Sequence, residues 1–233
     1  MTDAIRSRLE ALSDGATAAI LQRFFKTGPG EYGEGDRFRG IRVPILRKLC
    51  REFPQAGLTE ALDLLGSPWH EDRLLALLLL VDRYRKADEA GRDAIYESYC
   101  SHTSRINNWD LVDLSAPQIV GRHLFDLDRS PLYRFVVSGS LWDRRIAILS
   151  TFHFIRNNEF GDTLAIAELL IDDPEELIHK ATGWMLREVG KRDFRAEDDF
   201  LQKHYRRLPR TTLRYAIERY PEQLRQKYLG GLI

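Results

Sequence analysis

The stretch Leu141–Leu149, LWDRRIAIL, decides the fold together with the residues that follow it. Trp142, Ile146, Leu149 and Phe152 recur at steps of four, three and three, the spacing that lines side chains along one face of an α-helix. The same periodicity runs outward in both directions, and alternating β-branched runs are nearly absent, so the chain reads as all-α. Proline marks where helices begin, at Ser67-Pro68, Ser130-Pro131, Asp173-Pro174, Pro209 and Pro221, because its missing N–H is no loss in a first turn. Periodicity and punctuation together predict helices near 3–12, 16–26, 43–53, 58–65, 68–86, 90–103, 108–125, 131–137, 141–157, 161–171, 174–192, 196–207, 210–219 and 221–228.

Internal spacing gives these helices an order. The tryptophans at 69, 109, 142 and 184 lie 40, 33 and 42 residues apart, and Arg73, Arg145, Lys180 and Arg214 are separated by 72, 35 and 34. Units of this length that hold two helices each are HEAT-like repeats, in which a pair buries its apolar face by stacking on its neighbours. The expectation is a single domain over 1–233, a curved α-solenoid of about six helix pairs with a concave face. The competing account is a globular bundle with accidental spacing.

Composition narrows the classes. With 43% hydrophobic and 30% charged residues the chain is an ordinary globular one, and 35 basic against 35 acidic side chains leave no net field to draw it onto a polyanion. A charged partner must meet a local patch. The longest apolar run, Leu74–Val81, has 8 residues, against the roughly 20 that a membrane span requires. The opening MTDAIRSRLEALSDG has no hydrophobic signal core, and Cys50 and Cys100 show no metal or disulfide spacing, so a reducing cytoplasm is expected. The six histidines lack ligand spacing, and no metal site is expected.

Residues 27–40, TGPGEYGEGDRFRG, form a glycine-rich loop. Its formal GxGxxG at Gly28, Gly30 and Gly33 follows a helix rather than a strand and is stiffened by Pro29, which argues against dinucleotide binding. P-loop, zincin and serine-hydrolase signatures are absent from the sequence.

Two constellations could carry chemistry. Residues 1–177 hold 22 basic and 28 acidic side chains, whereas 178–215 hold 10 and 5. Within that basic segment Lys180, Trp184, Arg187 and Lys191 are spaced along one helix face, a cationic stripe interrupted by an indole that could meet phosphates and a sugar. The alternative is a core Trp184 with a solvated charged rim. In NNWDLVDLS, 107–115, Trp109 and Asp113 are four apart and share a helix face, an arrangement suited to stabilising a developing cation or orienting water. The alternative there is a buried indole with Asp113 paired to an arginine. Arg145, set among apolar residues, needs an anion, either a phosphate or an internal carboxylate such as Asp113.

NNWDLVD, LWDRRIAIL and IHKATGWMLRE, with FFKTGPGEYGEGDRFRGIRVPILRKL at 24–49 and PWHEDRLLALLLL at 68–80, resemble the DNA alkylation repair family of HEAT-like DNA glycosylases, the AlkD type. The resemblance implies a concave basic face that holds duplex DNA and excision of cationic N3- and N7-alkylated purines. It implies that Trp109 and Trp184 pack against the deoxyribose, that Asp113 stabilises the sugar cation and positions water, and that Arg145 contacts the DNA backbone. Asn108 stands where the family often has a second aromatic residue. The expectation is therefore a monomeric, monofunctional alkylpurine DNA glycosylase with no metal or organic cofactor, with Lys180, Arg187 and Lys191 on DNA phosphates. The alternatives are a non-catalytic DNA-structure-binding repeat protein and a protein-binding scaffold.

Overall fold

The computed structural model describes residues 1–233 as an all-α fold without a β-strand. The chain packs as two compact units, Met1–Ser115 and Ala116–Ile233.

The first unit contains α1 (Thr2–Ala11), α2 (Gly15–Phe24), α3 (Val43–Glu52), α4 (Leu58–Leu65), α5 (His70–Lys86), α6 (Glu89–Ser101) and α7 (Trp109–Ser115). Helix starts follow the sequence: Asp14 accepts from the Thr17 N–H at 2.7 Å and Asp88 from the Gly91 N–H at 2.9 Å, each satisfying an orphan first-turn donor. At the centre lies α5, packed on α3, α4, α6 and α7. All its residues from His70 to Val81 are buried, so this helix has no solvated face along most of its length. The apolar run Leu74–Val81 is thus a core helix segment, and its charged first turn is buried with it.

The second unit opens with a π-helical turn, Pro117–Gly121, that leads into α8 (Arg122–Leu124). It continues with α9 (Ser130–Val136), α10 (Leu141–Arg156), α11 (Gly161–Leu169), α12 (Glu176–Gly190), α13 (Phe194–His204), α14 (Arg210–Ala216) and α15 (Glu222–Gly230). Helix α10 packs on α9, α11 and α12, and α12 packs on α13 and most extensively on α14. The close approach of α12 to α14 depends on Gly183, where a Cβ would stand 2.4 Å from the Thr212 carbonyl oxygen. Arg145, Lys180 and Arg214 consequently sit on successive packed helices, which is what the steps of 35 and 34 residues anticipate. Leu186, Phe200, Leu201, Leu213, Ile217 and Tyr228 form the core toward the C-terminus.

The single helix expected over 108–125 is interrupted. Pro117 has no N–H to give and its ring crowds the carbonyl four residues back, so the ladder shifts register, and the Gly121 N–H bonds the Ala116 carbonyl five residues earlier at 2.9 Å. No helix is long and apolar enough to cross a membrane.

Candidate functional site

The glycine-rich loop is tied down by the first turn of α5. His70, Glu71, Asp72 and Arg73 are all buried, and each takes a partner from residues 36–41. Glu71 accepts the backbone N–H groups of Arg39 and Gly40 at 2.8 Å each and of Ile41 at 3.1 Å. Asp72 takes the Arg39 guanidinium at 2.6 Å and the Ser67 hydroxyl at 2.7 Å, and Arg73 pairs with Asp36. Four buried charges are thereby compensated by partners the loop supplies, which is the condition for keeping them out of water. Gly40 makes the approach possible: its φ of +84° suits glycine, and a Cβ would lie 2.0 Å from the Asp14 carbonyl oxygen.

His70 carries this network to α7. Its Nδ1 lies 3.0 Å from Asp36 and its Nε2 2.9 Å from Asp110. Burial alone would lower the imidazole pKa, but the Asp110 and Asp36 carboxylates outweigh it and raise it to about 9. Burial likewise pushes Asp36 upward, yet the His70 hydrogen bond, the Arg73 charge and the Asn108 amide hold it below the ordinary carboxylate range. Asn108 is fully buried; its amide donates to Asp36 at 3.2 Å and its carbonyl oxygen accepts the Trp109 N–H at 2.8 Å. In this chain the position before Trp109 is therefore an internal strut.

Trp109 is held from several sides. Its ring stacks on Phe25 with centroids 5.1 Å apart and planes at 21°, and it meets the edge of Phe24 at 6.0 Å. Phe25 stacks in turn on Phe38 at 5.1 Å, and Phe38 on His70 at 4.5 Å. The indole N–H donates to the Tyr32 hydroxyl at 3.3 Å, so the glycine-rich loop reaches Trp109 directly. Trp109 and Asp113 lie one turn apart on α7, and both are partly exposed. Beside Trp109, an apolar groove of about 530 Å³ is walled by α2, the start of α3, α5 and α7, with Ile20, Phe24, Val43, Leu74, Trp109 and Asp110 among its lining residues.

The remaining expected site residues belong to the second unit. Arg145 on α10 is 5% exposed, and its guanidinium donates to the Leu177 carbonyl oxygen at 2.5 Å. Trp184 on α12 is partly exposed, tilted against Phe152 at 5.8 Å, and donates its indole N–H to Glu188 at 3.1 Å. The cations around it are compensated: Lys180 by Glu176 at 3.1 Å, Lys191 by Glu188 at 2.6 Å, and Arg187 by Glu218. Neither a purely solvated rim nor a bare cationic stripe describes this face.

Sequence reasoning missed Asp36, His70, Arg73 and Asp110. The available signal was the HEDR run directly before LLALLLLV: a helix apolar all round offers no solvated face for its charges, so its charged first turn must find partners inside.

No curated protein matches the chain. Its fold is similar to a solved structure described as a predicted DNA alkylation repair enzyme from Enterococcus faecalis, with 17% identity, a TM-score of 0.70, and coverage of 90% of this chain and 97% of that one. At that identity the likeness concerns the fold alone. The family model for the DNA alkylation repair enzyme matches residues 5–220, nearly the whole chain, and the protein therefore belongs to the DNA alkylation repair enzyme family.

Proposed function

We propose that the chain is a monofunctional DNA glycosylase that excises cationic N3- and N7-alkylated purines from duplex DNA by hydrolysis of the N-glycosidic bond. The observation that carries this reading is the pairing of Trp109 and Asp113 on one partly exposed side of α7, with the indole fixed by Phe25 and Tyr32. An alkylated purine already carries a positive charge and leaves as a neutral base, so no general acid is required to protonate it. The deoxyribose then develops oxocarbenium character, which one carboxylate can stabilise while it orients the attacking water. In this reading Asp113 is that carboxylate. Trp109 presents an electron-rich ring to the sugar, with attraction of the cation–π type.

Trp184 supplies the second unit's aromatic contact to deoxyribose, and Arg145, Lys180, Arg187 and Lys191 its contacts to the DNA backbone. The enzyme acts as a monomer of HEAT-like repeats in the cytoplasm, without metal or organic cofactor.

The test is release of free methylpurine from methylated duplex DNA by the purified protein, compared with Asp113→Asn. The substitution preserves shape and removes the charge facing the sugar. Single-turnover excision should fall by about 10²-fold or more while DNA affinity stays similar. A wild-type protein that binds methylated duplex and releases no purine would instead be a DNA-structure-binding protein.

A further inference from the structure

The glycine-rich loop, residues 27–40, takes no part in the excision chemistry as read above, yet it is built as a frame rather than a free connection. Glu31 and Glu34 accept the N–H groups of Gly28 and Gly30 at 2.8 and 2.9 Å. The Gly33 N–H bonds the Lys26 carbonyl at 3.1 Å and the Asp36 N–H bonds the Gly33 carbonyl at 3.0 Å, so the segment closes on itself in successive turns. Gly33 lies directly against the end of α2: a Cβ there would stand 2.5 Å from the Phe25 carbonyl oxygen, and its absence lets the turn sit so close. At its far end the segment is locked by the buried Asp36, which meets His70, Arg73 and Asn108. Between the two anchored glutamates this frame carries Tyr32.

Tyr32 and Phe25 act on Trp109 in different ways. Phe25 stacks on the face of the indole, which resists tilting of the ring. A stack tolerates sliding, because the many small dispersion contacts change little as nearly parallel rings shift past one another. The Tyr32 hydroxyl accepts the indole N–H at 3.3 Å and so holds the edge that the stack leaves free to slide. Trp109 is partly exposed, and a water molecule would satisfy its N–H at nearly the same energy. What water lacks is a fixed position, and the internally bonded loop gives the hydroxyl one.

We propose that Tyr32 is a positioning residue for base excision: through the Trp109 N–H it sets where the indole stands beside the deoxyribose, and the glycine-rich loop is the frame that keeps Tyr32 in that place. The proposal rests on the reading of Trp109 and Asp113 as the pair that attends the sugar cation, and adds which residue fixes the indole's share of that geometry. The ring and the carboxylate must act on the same sugar at the same moment, and a misplacement of 1 Å in such a constellation costs about 10²-fold in rate. An indole free to slide by a fraction of that distance should therefore cost about tenfold. A loop that served stability alone would act on the fold and on DNA binding together, whereas a positioning contact acts on the chemical step and only through Trp109.

The experiment is a double-mutant cycle on single-turnover release of methylpurine from methylated duplex DNA, comparing the wild type, Tyr32→Phe, Trp109→Phe and the double variant, with DNA affinity and melting temperature recorded for each. Tyr32→Phe keeps the ring and removes only the acceptor oxygen. Excision should fall about tenfold while affinity and melting temperature stay nearly unchanged. In the Trp109→Phe background the same substitution should have no further effect, because phenylalanine has no N–H for Tyr32 to accept. In ¹H–¹⁵N spectra the Trp109 indole peak, identified by its loss in Trp109→Phe, should shift and exchange faster with solvent in Tyr32→Phe, while the Trp184 peak stays in place. A wild-type excision rate in Tyr32→Phe would overturn the proposal and leave the glycosylase reading standing. So would an equal loss in both backgrounds, which would mean that the hydroxyl acts by another route, or an unmoved indole peak, which would mean that it does not hold the ring. A rate loss matched by losses of affinity and melting temperature would make the loop a support of the fold and overturn the proposal as well. A wild-type protein that releases no methylpurine, although its Trp109 peak responds to Tyr32→Phe, would overturn the glycosylase reading and with it the catalytic consequence drawn from this contact.

Discussion

The Nε2 of His70 lies 2.9 Å from the Asp110 carboxylate while its Nδ1 lies 3.0 Å from Asp36, so one buried ring joins the glycine-rich loop to the first turn of the helix that carries Trp109 and Asp113. A neutral imidazole has one N–H and can donate to only one of these carboxylates; both bonds require the imidazolium. Asn108 and Asp110, the residues on either side of Trp109, are thus both anchored through the same charge cluster.

This makes the first unit's stability sensitive to pH in a defined window. The folded-state pKa of His70, about 9, lies above the unfolded value near 6.5, so the contribution is fully present below 6.5 and is lost as pH rises through 9. The magnitude is about 3 kcal/mol. Urea melts of the wild type should show this decline, and His70→Gln, which keeps one hydrogen bond but no charge, should be destabilised at pH 6 and should decline less steeply than the wild type between 6.5 and 9, by the His70 contribution. Parallel pH curves for the two proteins would show that another group titrates.

Gly40 and Gly30 both have positive φ, +84° and +76°, but only Gly40 has backbone against the position of a Cβ, with the Asp14 carbonyl oxygen at 2.0 Å. Gly30→Ala should therefore cost about 1 kcal/mol, the strain of a left-handed alanine alone. Gly40→Ala must in addition separate the loop from the start of α2, where the Asp14 N–H bonds the Arg39 carbonyl at 2.8 Å, and should cost about 3 kcal/mol or more. Equal losses in chemical denaturation would mean that the loop yields without effort at Gly40.

How much of this was legible in the sequence depended on the range of the interaction involved. The helices over 43–53, 58–65 and 141–157 are found at Val43–Glu52, Leu58–Leu65 and Leu141–Arg156, because apolar periodicity and proline placement are local signals. The regular placement of Arg145, Lys180 and Arg214 on packed helices was legible as spacing for the same reason. The break at Pro117 is marked by the proline itself, but the apolar pattern runs on through both sides of it, so periodicity alone gives one helix over 108–125. The pairing of Asp36 with His70 and Arg73 spans 34 and 37 residues, and nothing in the local pattern of a glycine-rich loop announces which of its carboxylates will be buried. The stripe of Lys180, Arg187 and Lys191 was legible as cations on one face, and Glu176 and Glu188 lie within a turn of the two lysines, while the pairing of Arg187 with Glu218 required the later helical turn to be brought against α12.

Glu197 on α13 is 2% exposed, its Oε1 has no hydrogen-bond partner, and burial, with Asp198 adding to it, pushes its pKa up to about 9. Folding therefore takes up a proton between the unfolded value of 4.5 and about 9, and stability falls as pH rises across that interval. Glu197→Gln supplies a neutral side chain of the same shape without that proton. It should stabilise the protein by up to about 5 kcal/mol at pH 8 and by only about 1 kcal/mol at pH 5. A melting temperature that drops at pH 8 would mean that Glu197 is ionised and held by a partner.

Glu188 accepts from the Trp184 indole at 3.1 Å and from Lys191 at 2.6 Å, and lies 3.9 Å from Arg187. If the α12 face contacts DNA, phosphates must compete with this carboxylate for the same cations, and part of the Coulombic gain is offset by separating pairs that already exist. Glu188→Gln leaves an acceptor for the indole and removes the competing charge. Duplex affinity should rise by about three- to tenfold at low salt, and the gain should shrink as salt is added, because exposed charges interact through a screened field. Lys191→Ala in the Glu188→Gln background should then cost more affinity than in the wild type, since the lysine is no longer compensated. Unchanged affinity in the single variant, together with an equal effect of Lys191→Ala in both backgrounds, would place the phosphates away from this face.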